Sequence, residues 1–536
     1  MSKKLFTFLF ILVLFLGVSV RFYKLGEVPN SLDWDEVSQG YNAYSLLTTG
    51  RDEFGLSFPS TIRSFNDYKP PIYTYLTILP VKVFGLNPFS TRFPSALFGS
   101  LSILLVYGLT YEIFRKEKYA KTVALLSMFF FAISPYSIQF SRTGFDANVG
   151  VFLAILGTWA FIRGLNGRVV WQILSGTIFL GLSAYSAHSE KIFAPLFFLC
   201  LIFYGRKFFL SKKIIAICLV ALFGFINIFW FFNSQTRVRS GGVLFISSAV
   251  QDFLNISSNE LAFDKLHNDK FDALLHNRRL VYADKFIQNY LSHFDFNNLF
   301  VNGDNARHHA PGVGIIYLAS LPFILASAFF IIRKKIYPAF ILFAWIFIAP
   351  VASSFAIDAP NFQRSLIFLP SFNVFEALGC FYLFSVLSRI KFSRIFMGVI
   401  IVLFFFNVCY YFHQYFSYTN SEYGQYWQFG YKEAIDFADK LTNKKIFFDN
   451  NIEQGYIFYL FYNQYDPRKY LLNGGSNRIN PKCYAIDNAY FGTCKGMISK
   501  YDIYVTSKPE LSPDYRVIKT IINPGGEPTV WILQHQ

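Results

Sequence analysis

Eleven apolar stretches, most of them long enough to cross a bilayer, constrain this chain more than any other feature. They cover residues 5–23, 93–113, 122–136, 148–162, 169–186, 192–205, 214–232, 313–332, 336–352, 365–388 and 395–413. At about 1.5 Å of rise per residue, roughly 20 apolar residues span a hydrocarbon core about 30 Å thick. The third, fourth and sixth stretches are short, so their ends are the least defined. The composition agrees, since 53% hydrophobic and 15% charged residues is too apolar for a water-soluble globule. The first stretch follows Lys3-Lys4 as a signal peptide would. No small-residue cleavage site follows it and ten more spans do, which predicts an uncleaved anchor.

Charge sets the expected orientation. Lys3 and Lys4; Arg115, Lys116, Lys118 and Lys121; Arg163 and Arg168; Arg206, Lys207, Lys212 and Lys213; Arg333, Lys334 and Lys335; and Arg389, Lys391 and Arg394 fall in every second short loop. These 18 basic residues meet only Glu112 and Glu117, and the excess equals the formal net charge of +16. The basic balance is therefore a topology signal, and nothing in it points to nucleic acid. The positive-inside rule predicts a cytoplasmic N-terminus, with loops 24–92 and 233–312 and the tail outside. In that tail Cys483 and Cys494 are candidates for a disulfide. Cys200, Cys218, Cys380 and Cys409 lie in spans. From about residue 420 long Phe/Leu/Ile runs give way to Asn, Gly, Pro, Asp and Tyr. Helical patterns at 433–438 and 454–465 alternate with strand-like 445–448, 501–506 and 529–533, which predicts a small α/β domain.

The candidate chemistry sits in the external segments. Asp33-Trp34-Asp35-Glu36 opens a predicted amphipathic helix with Val37, Tyr41, Tyr44 and Leu47 on one face. Acids at a helix start either cap it or do chemistry. Asp52-Glu53 reads as a polar turn without chemistry. Lys69 precedes Pro70-Pro71, which restrict where it points. It either snorkels to headgroups or binds an anionic leaving group, with Asp67 as a candidate to orient it. Arg142 and Asp146 stand four apart, as an ion pair or as substrate contacts. Tyr185, His188, Glu190 and Lys191 form a further polar patch, in which His188 is weak evidence by itself. Arg307, His308 and His309 precede a Pro-Gly turn, and Arg364 lies between the ninth and tenth spans. Charge within hydrocarbon costs about 2.5–3.5 kcal/mol on insertion scales, so these groups are expected at an interface or a cavity.

Several of these segments, in consistent order from residue 33 to 435, form a pattern: WDE-x-x-x-x-YNAYS, DYKPP, SPYSIQFSRTGFDAN, GD-x-x-x-RHHAPGVG, NFQRS and EYGQYWQFGYKEAI. In these the chain resembles the GT-C superfamily, membrane-embedded glycosyltransferases that use polyprenyl-phosphate sugars. It looks most like the branch of protein O-mannosyltransferases and lipid A aminoarabinose transferases. The resemblance implies inverting transfer from a lipid-phosphate sugar, without nucleotide, to a protein, lipid or glycan acceptor. It makes Asp35 the general base with Glu36 beside it. Lys69 and Arg364 become phosphate contacts, with Arg307, His308 and His309 as further phosphate candidates. Asp67, Arg142, Asp146, His188 and Lys191 remain substrate-binding candidates. Some relatives use a divalent ion and others do not, so a divalent metal stays open and none is assigned.

The expected architecture is thus an α-helical polytopic membrane protein of the GT-C type. It has a transmembrane part over 1–416 and an extracytoplasmic α/β domain over 417–536. Expected partners are a polyprenyl-phosphate sugar, membrane lipids and the acceptor, in a cell or plasma membrane. The rival is a lipid or glycan transporter, which should carry ionisable groups at mid-membrane or inverted repeats. A catalytically dead scaffold is disfavoured by the presence of the acids, Lys69 and Arg364.

Overall fold

The computed structural model describes residues 2–65, 67–232, 252–267, 276–389, 393–441, 444–479, 483–494, 497–499, 502–508 and 514–536. Lys391, Tyr501 and parts of the loop 233–312 lie outside them. All eleven apolar stretches fall on helices. Among the described residues six helices are long and apolar enough to cross a membrane: Lys3–Phe22, Pro88–Phe114, Ala147–Gly167, Tyr337–Ser354, Leu366–Leu387 and Arg394–Glu422. Ala120–Ile133 and Pro135–Ser141 make a seventh as a pair bent by 56°. The break falls at Pro135, whose ring and missing N–H do not continue a helix. This is an integral membrane protein. Pro135–Ser141 lies where the second external loop was expected, so that loop starts as helix.

The chain divides into two compact units. One comprises 1–17, 99–138 and 147–408, and the other 18–98, 139–146 and 409–536. In the first, the helices Ala147–Gly167 and Val170–Ser183 pack backbone to backbone. A Cβ on Gly157 would stand 2.6 Å from the Leu180 amide nitrogen, and one on Gly176 2.5 Å from that of Phe161. Small residues permit this approach where lipid supplies no hydrophobic drive between helices.

The second unit is built on a six-stranded sheet. Its strands follow a two-stranded hairpin of β1 (Ile62–Ser64) and β2 (Asp67–Lys69), and are β3 (Ile446–Phe448), β4 (Tyr484–Ile486), β5 (Ala489–Phe491), β6 (Ile503–Thr506), β7 (Tyr515–Ile522) and β8 (Pro528–His535). The order is β4-β5-β3-β6-β8-β7, with β3 parallel to both its neighbours and the other pairings antiparallel. The three residues of β3 are all buried, as expected for a strand covered on both faces. The expected helices are present as Tyr431–Ala438 and Gly455–Tyr462. Cys483 and Cys494 form a disulfide.

This sheet's core also receives Val37 and Tyr41 from the helix Trp34–Thr49, together with Ile457, Phe458 and Phe461. Tyr41 donates to the Tyr465 carbonyl at 3.1 Å. The helix that bears the acids is therefore seated on residues from the far end of the sequence. Burial of such side chains contributes about 1.5–3 kcal/mol each, so the seat is firm.

Candidate active site

The helix Trp34–Thr49 begins on a capping box. Asp33 is the N-cap and accepts from the Asp35 N–H at 2.8 Å, while Glu36 Oε2 accepts from the Asp33 N–H at 3.1 Å. Two of the orphan donors at the helix start are thereby satisfied. The expected capping role thus falls to Asp33 and Glu36.

Glu36 is fully buried and has a partner that sequence reading missed. Arg92 Nε meets Oε1 at 2.8 Å and Nη2 meets Oε2 at 2.9 Å, a bidentate pair with no exposure on either side chain. The rest of the Arg92 guanidinium is taken by the carbonyls of Leu25 (3.2 Å), Pro29 (2.7 Å) and Ser31 (2.6 Å). The Gly144 amide donates to Glu36 Oε1 at 2.5 Å. Fork-to-fork pairs of this kind fix geometry as well as charge. A carboxylate so engaged is a brace between the first turn of the helix, the 25–31 bend and the 139–146 segment.

Asp35 differs in every respect. Its side chain is 35% exposed, and its Oδ1 lies 2.6 Å from Lys69 Nζ, itself only 7% exposed. Lys69 ends β2, paired with Ile62, and the start of the following helix at Pro71 follows directly. Its ammonium also reaches the Asp35 carbonyl at 3.4 Å and stands 5.7 Å from the Phe65 ring centre. Asp67 is on the same strand and accepts from the Tyr68 N–H at 2.8 Å. The residues expected to act together, Asp35 and Lys69, are in contact.

Arg142 is fully buried, and its donors go to protein groups. Nε reaches Tyr415 Oη at 3.2 Å, Nη1 the carbonyls of Val20 (2.7 Å) and Tyr23 (2.6 Å), and Nη2 those of Lys24 and Val28 (both 3.1 Å). This clamps the turn that follows the first membrane helix. Both sequence readings of Arg142, ion pair and substrate contact, give way to that bracing role here. Asp146 is half-buried and precedes the helix Ala147–Gly167, where a negative charge suits the helix dipole.

The remaining candidates belong to the other unit. Asp304 Oδ2 meets His308 Nδ1 at 2.7 Å and accepts from the Phe362 amide at 2.8 Å. Burial pushes the Asp304 carboxyl up, but His308 and the amide outweigh it and hold it below the ordinary range. The Phe362 carbonyl in turn accepts from Tyr136 Oη. His309 is buried with Nδ1 on the Ala310 carbonyl at 2.8 Å, and burial depresses its basicity. Its ring fills the space beside Gly303, where a Cβ would stand 2.3 Å from Cδ2 and where φ is +67°. Only glycine suits that position. Arg364 pairs with Asp358, and its amide donates to Asn361 Oδ1 at 3.0 Å. Arg307 is half-buried in the same loop, its amide on Asn305 Oδ1 at 3.0 Å. Lys191 Nζ lies 3.0 Å from His188 Nδ1. Among the described residues no three His, Cys, Asp or Glu side chains converge as a metal site would require.

Solved structures show which fold this is. ArnT from Cupriavidus metallidurans bound to undecaprenyl phosphate superimposes with a TM-score of 0.54 at 14% identity, covering 99% of this chain and 98% of that one. The Archaeoglobus fulgidus oligosaccharyltransferase tethered to an acceptor peptide gives 0.53 at 15% identity, covering 86% and 63%. The chain has the GT-C fold.

Sequence comparison agrees over shorter spans. Residues 68–230 match the family model described as dolichyl-phosphate-mannose-protein mannosyltransferase. The chain is 29% identical over 106 residues to the mannosyltransferase-named YkcB of Bacillus subtilis (strain 168), a stretch that covers 20% of this chain and 14% of YkcB. It is also 29% identical over 199 residues to dolichyl-phosphooligosaccharide-protein glycotransferase 2 of Archaeoglobus fulgidus, covering 33% of this chain and 31% of that protein. The chain thus spans less than a third of these curated relatives. The GT-C resemblance seen in the sequence motifs holds.

Proposed function

We propose that this GT-C chain is a membrane glycosyltransferase that moves a sugar from a polyprenyl-phosphate donor to a hydroxyl or amine acceptor on the non-cytoplasmic face, with Asp35 as general base. The Asp35–Lys69 pair carries this reading. One carboxylate of the acidic helix start is partly open and oriented by a buried lysine, while its neighbour Glu36 is locked to Arg92. The bond from the acceptor oxygen or nitrogen to the anomeric carbon forms from the face opposite the phosphate. Asp35 takes the acceptor's proton, and the carbon–phosphate-oxygen bond breaks with its electron pair leaving on polyprenyl phosphate. The sugar is inverted. A positioned base is worth about 10²–10⁴-fold. Lys69 is the proposed cation for the leaving phosphate, and Arg364, Arg307, His308 and His309 are the phosphate-binding candidates of the other unit. Cations preorganised around such a leaving group often accelerate the reaction more than the base does.

The test is direct. Purified protein is incubated with a panel of polyprenyl-phosphate sugars and release of polyprenyl phosphate is followed. Asp35→Asn should lower turnover by about 10²-fold or more, with expression and donor binding retained. Near-wild-type turnover of that variant would sink the assignment.

One feature fits the transporter alternative. Glu376 is a buried carboxylate inside the span Leu366–Leu387, contrary to the expectation that charge stays at the faces. Its Oε2 accepts from Asn373 Nδ2 at 2.8 Å, a local partner one turn away. That bond suits a satisfied structural acid. Glu376→Gln should leave sugar transfer within a few-fold of wild type, and loss of transfer there would show that Glu376 is more than a satisfied structural acid.

A further inference from the structure

The ends of several apolar helices in the first unit line an open cavity of about 570 Å³ that the proposed reaction does not use. Its wall is drawn from residues 112–117, Tyr119, Asn166, Tyr204, Phe330 and residues 334–338. These belong to the second-to-third, fourth-to-fifth, sixth-to-seventh and eighth-to-ninth connections of the sequence. All four are connections that the positive-inside rule assigns to the cytoplasmic face. Their meeting around one cavity is what a common face requires.

The wall is strongly cationic. Arg115, Lys116, Lys334 and Lys335 line it, against Glu112 and Glu117. Glu112 is already engaged, by Arg115 at 3.6 Å and by Asn166 Nδ2 at 3.0 Å. Among the described residues Lys116, Lys334 and Lys335 have no acidic partner. Lys335 adopts a left-handed conformation (φ 51°, ψ 50°) that ends the helix Leu321–Lys334 and turns the chain along the cavity. Beside these ammonium groups the wall is aromatic and apolar, with Phe114, Tyr119, Phe330 and Tyr337, the last of them 81% exposed. The volume falls in the range of about 300–1,000 Å³ usual for small-molecule sites.

We propose that this cavity binds the phosphate headgroup of an anionic membrane lipid. The three unpartnered lysines would take the phosphate oxygens, and the aromatic rim would meet the start of the acyl chains. Helix ends lie at headgroup depth, and basic pockets between membrane helices recognise anionic headgroups. A free phosphate shares the ionic chemistry but has no use for the apolar wall, so a bilayer lipid is the favoured source.

The full chain, delipidated in neutral detergent, is titrated with phosphatidylglycerol or phosphatidylcholine, and retained lipid is counted by native mass spectrometry. One phosphatidylglycerol per chain should be held about tenfold or more tightly than phosphatidylcholine. The triple variant Lys116→Gln, Lys334→Gln, Lys335→Gln should lose that preference. The control Lys118→Gln, Lys121→Gln, Arg333→Gln removes as many charges from the same loops, off the cavity wall, and should keep it. Equal loss in both triples would mean diffuse attraction to basic loops and overturn the proposal. So would equal retention of the two lipids by the wild type. Displacement of the bound lipid by millimolar inorganic phosphate would overturn the choice of a lipid. If the triple variant is not recovered folded, Lys334→Gln and Lys335→Gln singly should each weaken retention severalfold, and unchanged retention in both would count against the site.

Discussion

The segment 24–92 contains two acidic turns that share an Asp-Glu pair, Asp33-Trp34-Asp35-Glu36 and Asp52-Glu53, and they have opposite electrostatic fates. In both, the glutamate is fully buried. Glu36 meets Arg92 in a bidentate pair. Among the described residues Glu53 meets only neutral donors: Asn42 Nδ2 at 2.9 Å, Tyr456 Oη at 3.2 Å and Ser476 Oγ at 2.5 Å. Burial therefore pushes Glu53 up to about 7, against the pull of those hydrogen bonds and with some help from Asp52. The buried acid with a guanidinium is a brace, whereas the one without a cation becomes a titrating latch. Glu53 was expected to be a polar turn residue. It instead ties the 52–53 turn to the Gly455–Tyr462 helix and the Ser476 turn.

The largest effect should come from breaking the charged pair. Arg92→Leu leaves Glu36 buried and uncompensated, and losing one partner of such a pair costs about 3–5 kcal/mol. Little monodisperse protein should be recovered. The double variant Arg92→Leu, Glu36→Leu should recover part of the loss in thermal unfolding. A single variant as stable as wild type would erase the distinction between the two turns.

Next comes the latch. Glu53 has a folded-state value near 7 against an ordinary 4.5, so it favours the folded protein when protonated. That contribution is fully present below about 4.5 and is lost as pH rises through about 7. At about 1.4 kcal/mol per unit, it amounts to roughly 3 kcal/mol. His293 and His309, held down by burial, act in the opposite direction as pH falls. The measurement is therefore the difference between wild type and Glu53→Gln in unfolding temperature from pH 5 to 8. The variant should gain relative to wild type as pH rises, and parallel profiles would refute the latch.

The smallest effect tests the cap that both Asp35 and Glu36 depend on. Asp33→Ala removes the acceptor for the Asp35 amide and should cost about 1 kcal/mol of stability. Because Asp35 is also held by Lys69, turnover should fall only a few-fold. A loss as large as that of Asp35→Asn would make Asp33 the more important acid.

The motifs and patterns legible in the sequence were those with local causes. The apolar stretches follow from the length of a bilayer-crossing helix, the start of Trp34–Thr49 from a capping signal four residues long, and β3, β6 and β8 from short β-rich runs. The contact of Asp35 with Lys69 was also within reach, because the Lys-Pro-Pro segment and the acids lie in one loop. Arg92 was not, although it had a signal. It is an arginine at the edge of an apolar stretch, and such a charge needs an acid nearby.

By itself the sequence determined which segments are helical and apolar, and which residues can carry charge at their ends. It could not determine how those charges are shared out. Glu36 and Arg92 are 56 residues apart, Glu53 and Ser476 are 423 apart, and Arg142 reaches back 122 residues to the Val20 carbonyl. Whether a carboxylate is braced, latched or left open to a substrate depends on which donors the packed chain brings within about 3 Å. Hydrogen bonds and ion pairs in a low-dielectric interior change an acid's behaviour steeply over that distance. Only the tertiary structure separated Asp35, partly open beside Lys69, from the acids on either side of it.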